Sequence, residues 1–322
     1  MPVINPSSYS PPMLCSNRHF QTIMPSLLRK VAGVNYRRER ITTPDDDFLD
    51  LDWSTRGTDR LAIVLHGMEG DSSRSYVQGM VKAVNHAGWD AVALNFRGCS
   101  GECNRKRRFY HSGDTQDLHT VISHIIAGNR YSNLALIGFS LGGNVILKYL
   151  GERGTCLHPF IRRAVAFSVP CDLTGCEENI TKAAGGIYLK RFLRLLHKKI
   201  KMKQRIMPDL VNDNGYSKIR TLKEFDDRYT APLHGFKDAL DYYEKSSSKQ
   251  FIPGISIPTL LVNSADDPFL AEDSYPVQEA RESEFFFLEL PKFGGHVGFI
   301  AFERSGQYWS ESRAIAFLNN QH

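Results

Sequence analysis

Short, nearly uninterrupted apolar runs recur along the chain at 61–65 (LAIVL), 90–96 (DAVALNF), 134–139 (LALIGF), 164–169 (AVAFSV), 259–263 (TLLVN) and 284–290 (EFFFLEL). Runs of this length, rich in aliphatic and aromatic residues and without polar alternation, predict strands buried on both faces, as parallel strands are. Between the early runs lie segments of helical length at 74–87, about 114–128 and 141–153; in the first, Val77, Met80, Val81 and Val84 recur at helical spacing. Strand–helix alternation of this kind predicts an α/β fold with a mostly parallel central sheet flanked by helices.

The alternation stops between 171 and 252. That segment has no comparable apolar run, and stretches such as GGIYLKRFLRLLHKKIKMKQR and FKDALDYYEK read as helical. It is expected to be a helical cap insertion, residues 171–252, in a core formed by 1–170 and 253–322. A short helix is expected at 19–31, after a Pro/Ser-rich start.

Composition narrows the class. The chain has 322 residues, 42% hydrophobic and 23% charged, which suits an ordinary soluble globular protein. No stretch approaches the ~18 apolar residues of a membrane span, and the N-terminus lacks the pattern of a secretory signal, so a cytoplasmic location is expected. The six cysteines match no zinc spacing; no metal and no cofactor are expected. The net charge of +5 is concentrated: residues 187–206 hold Lys190, Arg191, Arg194, Lys198, Lys199, Lys201, Lys203 and Arg205 and no acid. A basic segment on a near-neutral body argues against a nucleic-acid partner. Its plainest reading is a helix with a solvated basic face. The other reading is transient contact with a membrane surface, with Phe192, Leu193, Leu196 and Ile200 as an apolar stripe.

The candidate chemistry sits at the ends of the apolar runs. Gly138-Phe139-Ser140-Leu141-Gly142 follows one run and precedes a helical pattern, the strand–turn–helix context of a nucleophile elbow. The pentapeptide alone is weakly specific; its context makes Ser140 the candidate nucleophile. Downstream, TLLVNSADDPFL puts two aspartates just after a run, and EFFFLELPKFGGHVGF puts His296 just after the next. The order Ser, then acid, then His fits such a fold, and sites in open α/β sheets gather beyond the carboxyl ends of the strands. A serine hydroxyl needs a neighbouring imidazole to take its proton, and the imidazole needs a carboxylate to fix its tautomer. Asp267, which precedes Pro268, is the preferred acid; Asp266 is the alternative. The run ending in His66-Gly67 supplies an oxyanion loop, so the backbone N–H groups of Met68 and Leu141 are the expected oxyanion donors. The His66 side chain is expected only to shape that loop.

Longer motifs surround these residues: SNRHFQTIMPSLLR (16–29), HGMEG (66–70), NFRGCSGECNRKRRFYHSGDTQD (95–117), GFSLGGN (138–144), KEFDDRYTAPLHGFKDALDYY (223–243), DDPF (266–269) and GGHVGFI (294–300). On them the sequence resembles the YheT-like α/β-hydrolases, related to yeast ethyl-ester synthase/esterases and ABHD-type lipases, over nearly its whole length. The resemblance implies the α/β-hydrolase fold, Ser140, Asp267 and His296 as a triad, and carboxylesterase activity toward short- or medium-chain acyl esters. Some relatives also transfer acyl groups to alcohols. One departure is Cys103, where the family pattern leads one to expect proline, and it leaves the rigidity of that loop open.

The expected function is therefore a serine carboxylesterase acting on a small acyl ester or lipid-like substrate through an acyl-enzyme. The alternatives are acyl transfer to an alcohol at the same site and a non-catalytic ligand-binding scaffold. Within the insertion, Phe192 and Leu196 are the candidate residues that contact the acyl chain. The oligomeric state is not legible.

Overall fold

Each of the six apolar runs forms a strand. In a computed structural model that describes residues 3–302 and 306–320, they are β4 Arg60–Leu65, β5 Asp90–Asn95, β6 Asn133–Phe139, β7 Ile161–Phe167, β8 Thr259–Val262 and β9 Phe286–Glu289. Residues 1, 2, 303–305, 321 and 322, which the expected core segments include, lie outside the described residues. Three further strands are β1 Val3–Ile4, β2 Arg37–Thr42 and β3 Phe48–Ser54. The nine form one sheet in the order β1-β9-β8-β7-β6-β4-β5-β3-β2. Only the β2/β3 and β3/β5 pairings are antiparallel.

The sequence pattern missed β2 and β3 because their charges are paired across the ladder. Arg38 lies opposite Asp52, and Arg40 opposite Asp50. Arg38 Nε donates to Asp52 at 2.8 Å and Arg40 Nε to Asp50 at 2.7 Å, and both aspartates are buried. Opposite charges directly across a sheet stabilise the pair, and a carboxylate so bonded can be buried. β3 is therefore an interior strand written with acidic residues.

Helices cover both faces, as the alternation required. α1 is Arg18–Leu28, α2 Ser75–His86, α3 Thr115–Ala127 and α4 Leu141–Arg153. Val77, Met80, Val81 and Val84 of α2 pack on one face of the sheet with Ala314 and Phe317. Leu118, Val121 and Ile122 of α3 and Val145 and Ile146 of α4 pack on the other.

Between β7 and β8 the chain is helical: α5 Leu173–Lys182, α6 Ile187–Ile206, α7 Leu222–Phe225, a π-helical turn Asp226–Thr230, α8 Ala231–His234 and α9 Ala239–Ser246. This segment has its own apolar cluster, including Leu196, Ile200, Leu222, Phe225 and Tyr229, which also takes in Phe109. After β8 come α10 Val277–Glu282 and, past β9, α11 Trp309–Leu318. Among the described residues no helix is long and apolar enough to cross a membrane.

The basic helix departs from its plain reading. Lys190, Arg191, Arg194, Lys198, Lys201 and Arg205 of α6 are exposed, but Lys199 and Lys203 are buried. They lie on the same stripe as Leu196 and Ile200, three and four residues apart, so helical geometry turns them inward. Lys203 Nζ donates to the backbone oxygens of Asn104 and Lys106 and to Asn104 Oδ1, at 2.8, 2.6 and 2.8 Å. Asn104 in turn donates to Asp47 at 2.7 Å and to the Arg108 carbonyl at 2.6 Å. Buried Arg97 pairs with Asp45, Asp47 and Asp117 beside it. The loop that carries Cys103 is thus held by cross-bracing in the absence of a proline.

Candidate active site

Ser140 stands at the junction of β6 and α4 with φ 52° and ψ −122°. A non-glycine residue in that region is strained, and the turn is possible because its flanks are bare. A Cβ on Gly138 would lie 2.6 Å from the Gly142 carbonyl oxygen, and one on Gly142 would lie 2.5 Å from the His66 carbonyl oxygen. The Ser140 N–H donates to the Phe167 carbonyl at 2.8 Å, which ties the elbow to β7.

His296 Nε2 lies 2.9 Å from Ser140 Oγ. Its Nδ1 lies 2.9 Å from Asp267 Oδ2 and 3.2 Å from Oδ1. Three residues far apart in sequence are thus brought into one hydrogen-bonded line. The two neighbouring aspartates have different tasks. Asp267 is buried, accepts from the Phe269 N–H at 2.9 Å and faces the imidazole. Asp266 instead accepts from the Gly295 N–H at 2.9 Å and so braces the turn that carries His296. Burial raises the Asp266 pKa from its ordinary value, against the lowering effect of the Gly295 N–H.

Residues outside the expected set also hold the histidine. The His296 N–H donates to Thr22 Oγ1 of α1 at 2.9 Å, and the Val297 N–H donates to Ser168 Oγ at 2.9 Å. Gln21 Oε1 accepts from Tyr9 OH at 2.6 Å and from the Ile300 N–H. Local pattern gave no sign of these roles; the only signal was the presence of Gln21 and Thr22 in the longer motif at 16–29.

The HGMEG loop runs beside the elbow. His66 Nδ1–H donates to the Gly67 carbonyl at 2.7 Å, so Nε2 is free to accept from the Phe96 N–H. Burial pushes its pKa down to about 4, which keeps it neutral, and its side chain shapes the loop. The Gly67 N–H donates to Tyr76 OH. Neither the Met68 nor the Leu141 N–H donates to a backbone acceptor among the described residues.

Two spaces meet at Ser140. An inner cavity of about 120 Å³ is lined by Leu141, Leu173, Ile180, Leu196 and Ile200, with Asp226 and Tyr243 also on its wall. An outer cleft of about 690 Å³ reaches Ser140 and His296 from the other side, past Tyr188, Phe192 and Phe269, with Arg74, Lys190, Arg191 and Arg194 at its walls. The two candidate chain-contacting residues therefore separate: Leu196 faces the inner cavity and Phe192 the outer cleft. Such a layout can divide an ester at its carbonyl.

The hydrolase family described as serine aminopeptidase, S33, matches residues 57–280. The Escherichia coli K12 protein named "Putative esterase YheT" is 36% identical over 311 residues, spanning 94% of this chain and 90% of its own. Mouse phospholipase ABHD3 is 28% identical over 312 residues, spanning 93% and 74%. Among solved structures, the Pyrococcus furiosus esterase Pf2001 superposes with a TM-score of 0.61 at 19% identity, over 91% of this chain and 96% of that one, a likeness of fold.

Proposed function

This chain belongs to the α/β-hydrolase family described as serine aminopeptidase, S33, among its YheT-like members, and from that membership we propose that it is an esterase-type hydrolase working through Ser140, His296 and Asp267. The observation that carries the reading is the single imidazole held at 2.9 Å from both the serine hydroxyl and a buried carboxylate.

Ser140 Oγ attacks the ester carbonyl while His296 Nε2 takes its proton. Asp267 keeps the remaining proton on Nδ1 and stabilises the imidazolium. The Met68 and Leu141 N–H groups hold the oxyanion. His296 then protonates the departing alkoxide. Water, deprotonated by His296, cleaves the acyl-enzyme. An alcohol in place of water makes the same site an acyltransferase.

The small inner cavity favours short or medium acyl chains, and residues 171–252 act as a cap over the core segments 1–170 and 253–322. Ester chemistry suits the carboxylates of the inner cavity better than a peptide amine does, because they are already bonded. Glu69 pairs with Lys199, Asp226 with Tyr243, and Glu177 accepts from the Leu222 and Lys223 N–H groups. The exposed cations of α6, none of which forms an ion pair among the described residues, suit an anionic lipid surface or an ester with an anionic alcohol portion.

The test is a series of p-nitrophenyl esters from butyrate upward, with wild type beside Ser140→Ala, and fluorophosphonate labelling of both. Ser140→Ala is expected to keep its fold and lose turnover and label. A Ser140→Ala protein that still takes the label ends the assignment. A wild type that takes no label and cleaves no ester leaves the scaffold reading standing.

A further inference from the structure

The helical segment sends one side chain to the oxyanion loop. Lys199 of α6 is buried, and its Nζ lies 2.7 Å from Glu69 Oε1 and 3.0 Å from Cys99 Sγ. Glu69 directly follows Met68 and has φ 53°, a conformation that a non-glycine residue holds only when its surroundings enforce it. The enforcement is visible. The Glu69 N–H donates to Tyr110 OH at 2.8 Å, and Tyr110 OH donates back to Glu69 Oε1 at 2.8 Å. The Glu69 carbonyl accepts from Arg74 at 2.9 Å. The Lys199 ammonium also sits 4.4 Å from the Tyr110 ring centroid. The peptide unit next to the one that carries the Met68 N–H is thus gripped by a residue whose carboxylate takes its ionic partner from the cap.

We propose that Lys199 is a positioning residue for the oxyanion hole: by holding Glu69 against Tyr110 it keeps the Met68 N–H aimed at the carbonyl oxygen, so that the cap completes the reactive centre as well as the acyl pocket. The proposal rests on the reading of Met68 as an oxyanion donor. Burial works against the ammonium, but Cys99 and Glu69 outweigh it and raise the Lys199 pKa, so the group stays charged. Preorganised donors act by costing no reorganisation during reaction, and loosening one of them costs rate without costing ground-state binding.

The experiment compares four proteins on p-nitrophenyl butyrate: wild type, Lys199→Met, the double variant Lys199→Met/Glu69→Leu, and Lys203→Met. The double variant removes the orphaned carboxylate together with its partner, which restores stability. Lys203 is also buried, one turn on, but bonds Asn104 and the Lys106 carbonyl instead. Lys199→Met is expected to lose about 10- to 100-fold in kcat with KM within about threefold, and a boronic acid inhibitor, which mimics the tetrahedral state, should weaken in proportion. The double variant should stay as slow as the single one although its Tm recovers. Lys203→Met should lose Tm and keep kcat within about threefold. Three results overturn the proposal: Lys199→Met with near wild-type kcat, a double variant that regains rate along with stability, or a Lys203→Met as slow as Lys199→Met. Failure of the serine-hydrolase reading beneath it looks different, since the wild type itself would then resist boronate and fluorophosphonate.

Discussion

The inner cavity and the outer cleft both open onto Ser140, yet their walls are made differently. On the inner side, leucines and isoleucines of α4, α5 and α6 surround about 120 Å³, and the carboxylates on that wall are bonded to protein partners. On the outer side, aromatic rings stand beside Arg191 and Arg194, which have no ion pair among the described residues, around about 690 Å³. A wall whose polar groups are already satisfied can discriminate only by volume, at about 0.8 kcal/mol per methylene. A wall with unpaired cations can discriminate by charge, weakly and in a salt-dependent way. The proposed division of the ester follows: the acyl chain is measured inside and the alcohol portion is sorted outside.

The largest effect lies at the junction, where the two sides should become indistinguishable. Asp267→Asn should lower kcat/KM by about 10³- to 10⁴-fold for every chain length and every alcohol, the scale of a lost histidine tautomer in a serine protease. Asp266→Asn should cost about tenfold or less, since it loosens one hydrogen bond to the Gly295 turn. If Asp266→Asn proves the worse of the two, Asp267 loses its role.

Next comes the contrast between chambers. Leu196→Ala should raise the octanoate-to-butyrate ratio of kcat/KM about tenfold, by admitting two further methylenes. Phe192→Ala should leave that ratio within about twofold and alter the ratio between alcohol groups. Equal shifts in the chain-length ratio from both variants would erase the distinction.

Smaller still is the charge term. Arg191→Ala with Arg194→Ala should reduce the preference for an ester with an anionic alcohol portion over a neutral one by about three- to tenfold. The wild-type preference should fade in high salt and the variant's should not. A variant whose preference is unchanged at low salt makes those arginines mere surface. The smallest effect is on stability. Burial raises the Asp226 pKa from 3.8 to about 7, so between those values the folded state keeps a proton that the unfolded state has lost. Stability therefore falls as pH rises through that window. Asp226→Asn should flatten this part of the Tm profile, and thermal melts from pH 4 to 8 that stay parallel to wild type would refute it.

How much of this the sequence carried depended on how each residue is paid into its surroundings. β4 to β9 were legible because strands buried on both faces leave continuous apolar runs. β2 and β3 were not, because Arg38, Arg40, Asp50 and Asp52 satisfy one another across the ladder, and no single segment reveals that. β1, two residues long, has no pattern to read. At the site, Ser140, His296 and the Asp266–Asp267 pair were legible from their places at strand ends. Lys199 was hidden by charge: a basic run reads as solvated. Its spacing from Leu196 and Ile200 was the available signal, since a lysine on the apolar stripe of a helix has to find a buried partner. Thr22 and Ser168 reach the His296 turn from distant segments, a relation set only by the tertiary fold.

The buried lysines of α6 bear on how such proteins can be recombined. A helical insertion between two strands looks like a module that could be exchanged between relatives by cutting near 171 and 252. Lys199 and Lys203 join it to Glu69, Asn104 and Lys106, so those cuts would strand an unpaired carboxylate and unpaired backbone oxygens on the core and two buried ammoniums on the transplanted helices. A working chimera would have to inherit the loops at 66–70 and 97–110 together with the helices, which makes the exchangeable unit discontinuous in the gene although it is contiguous in space.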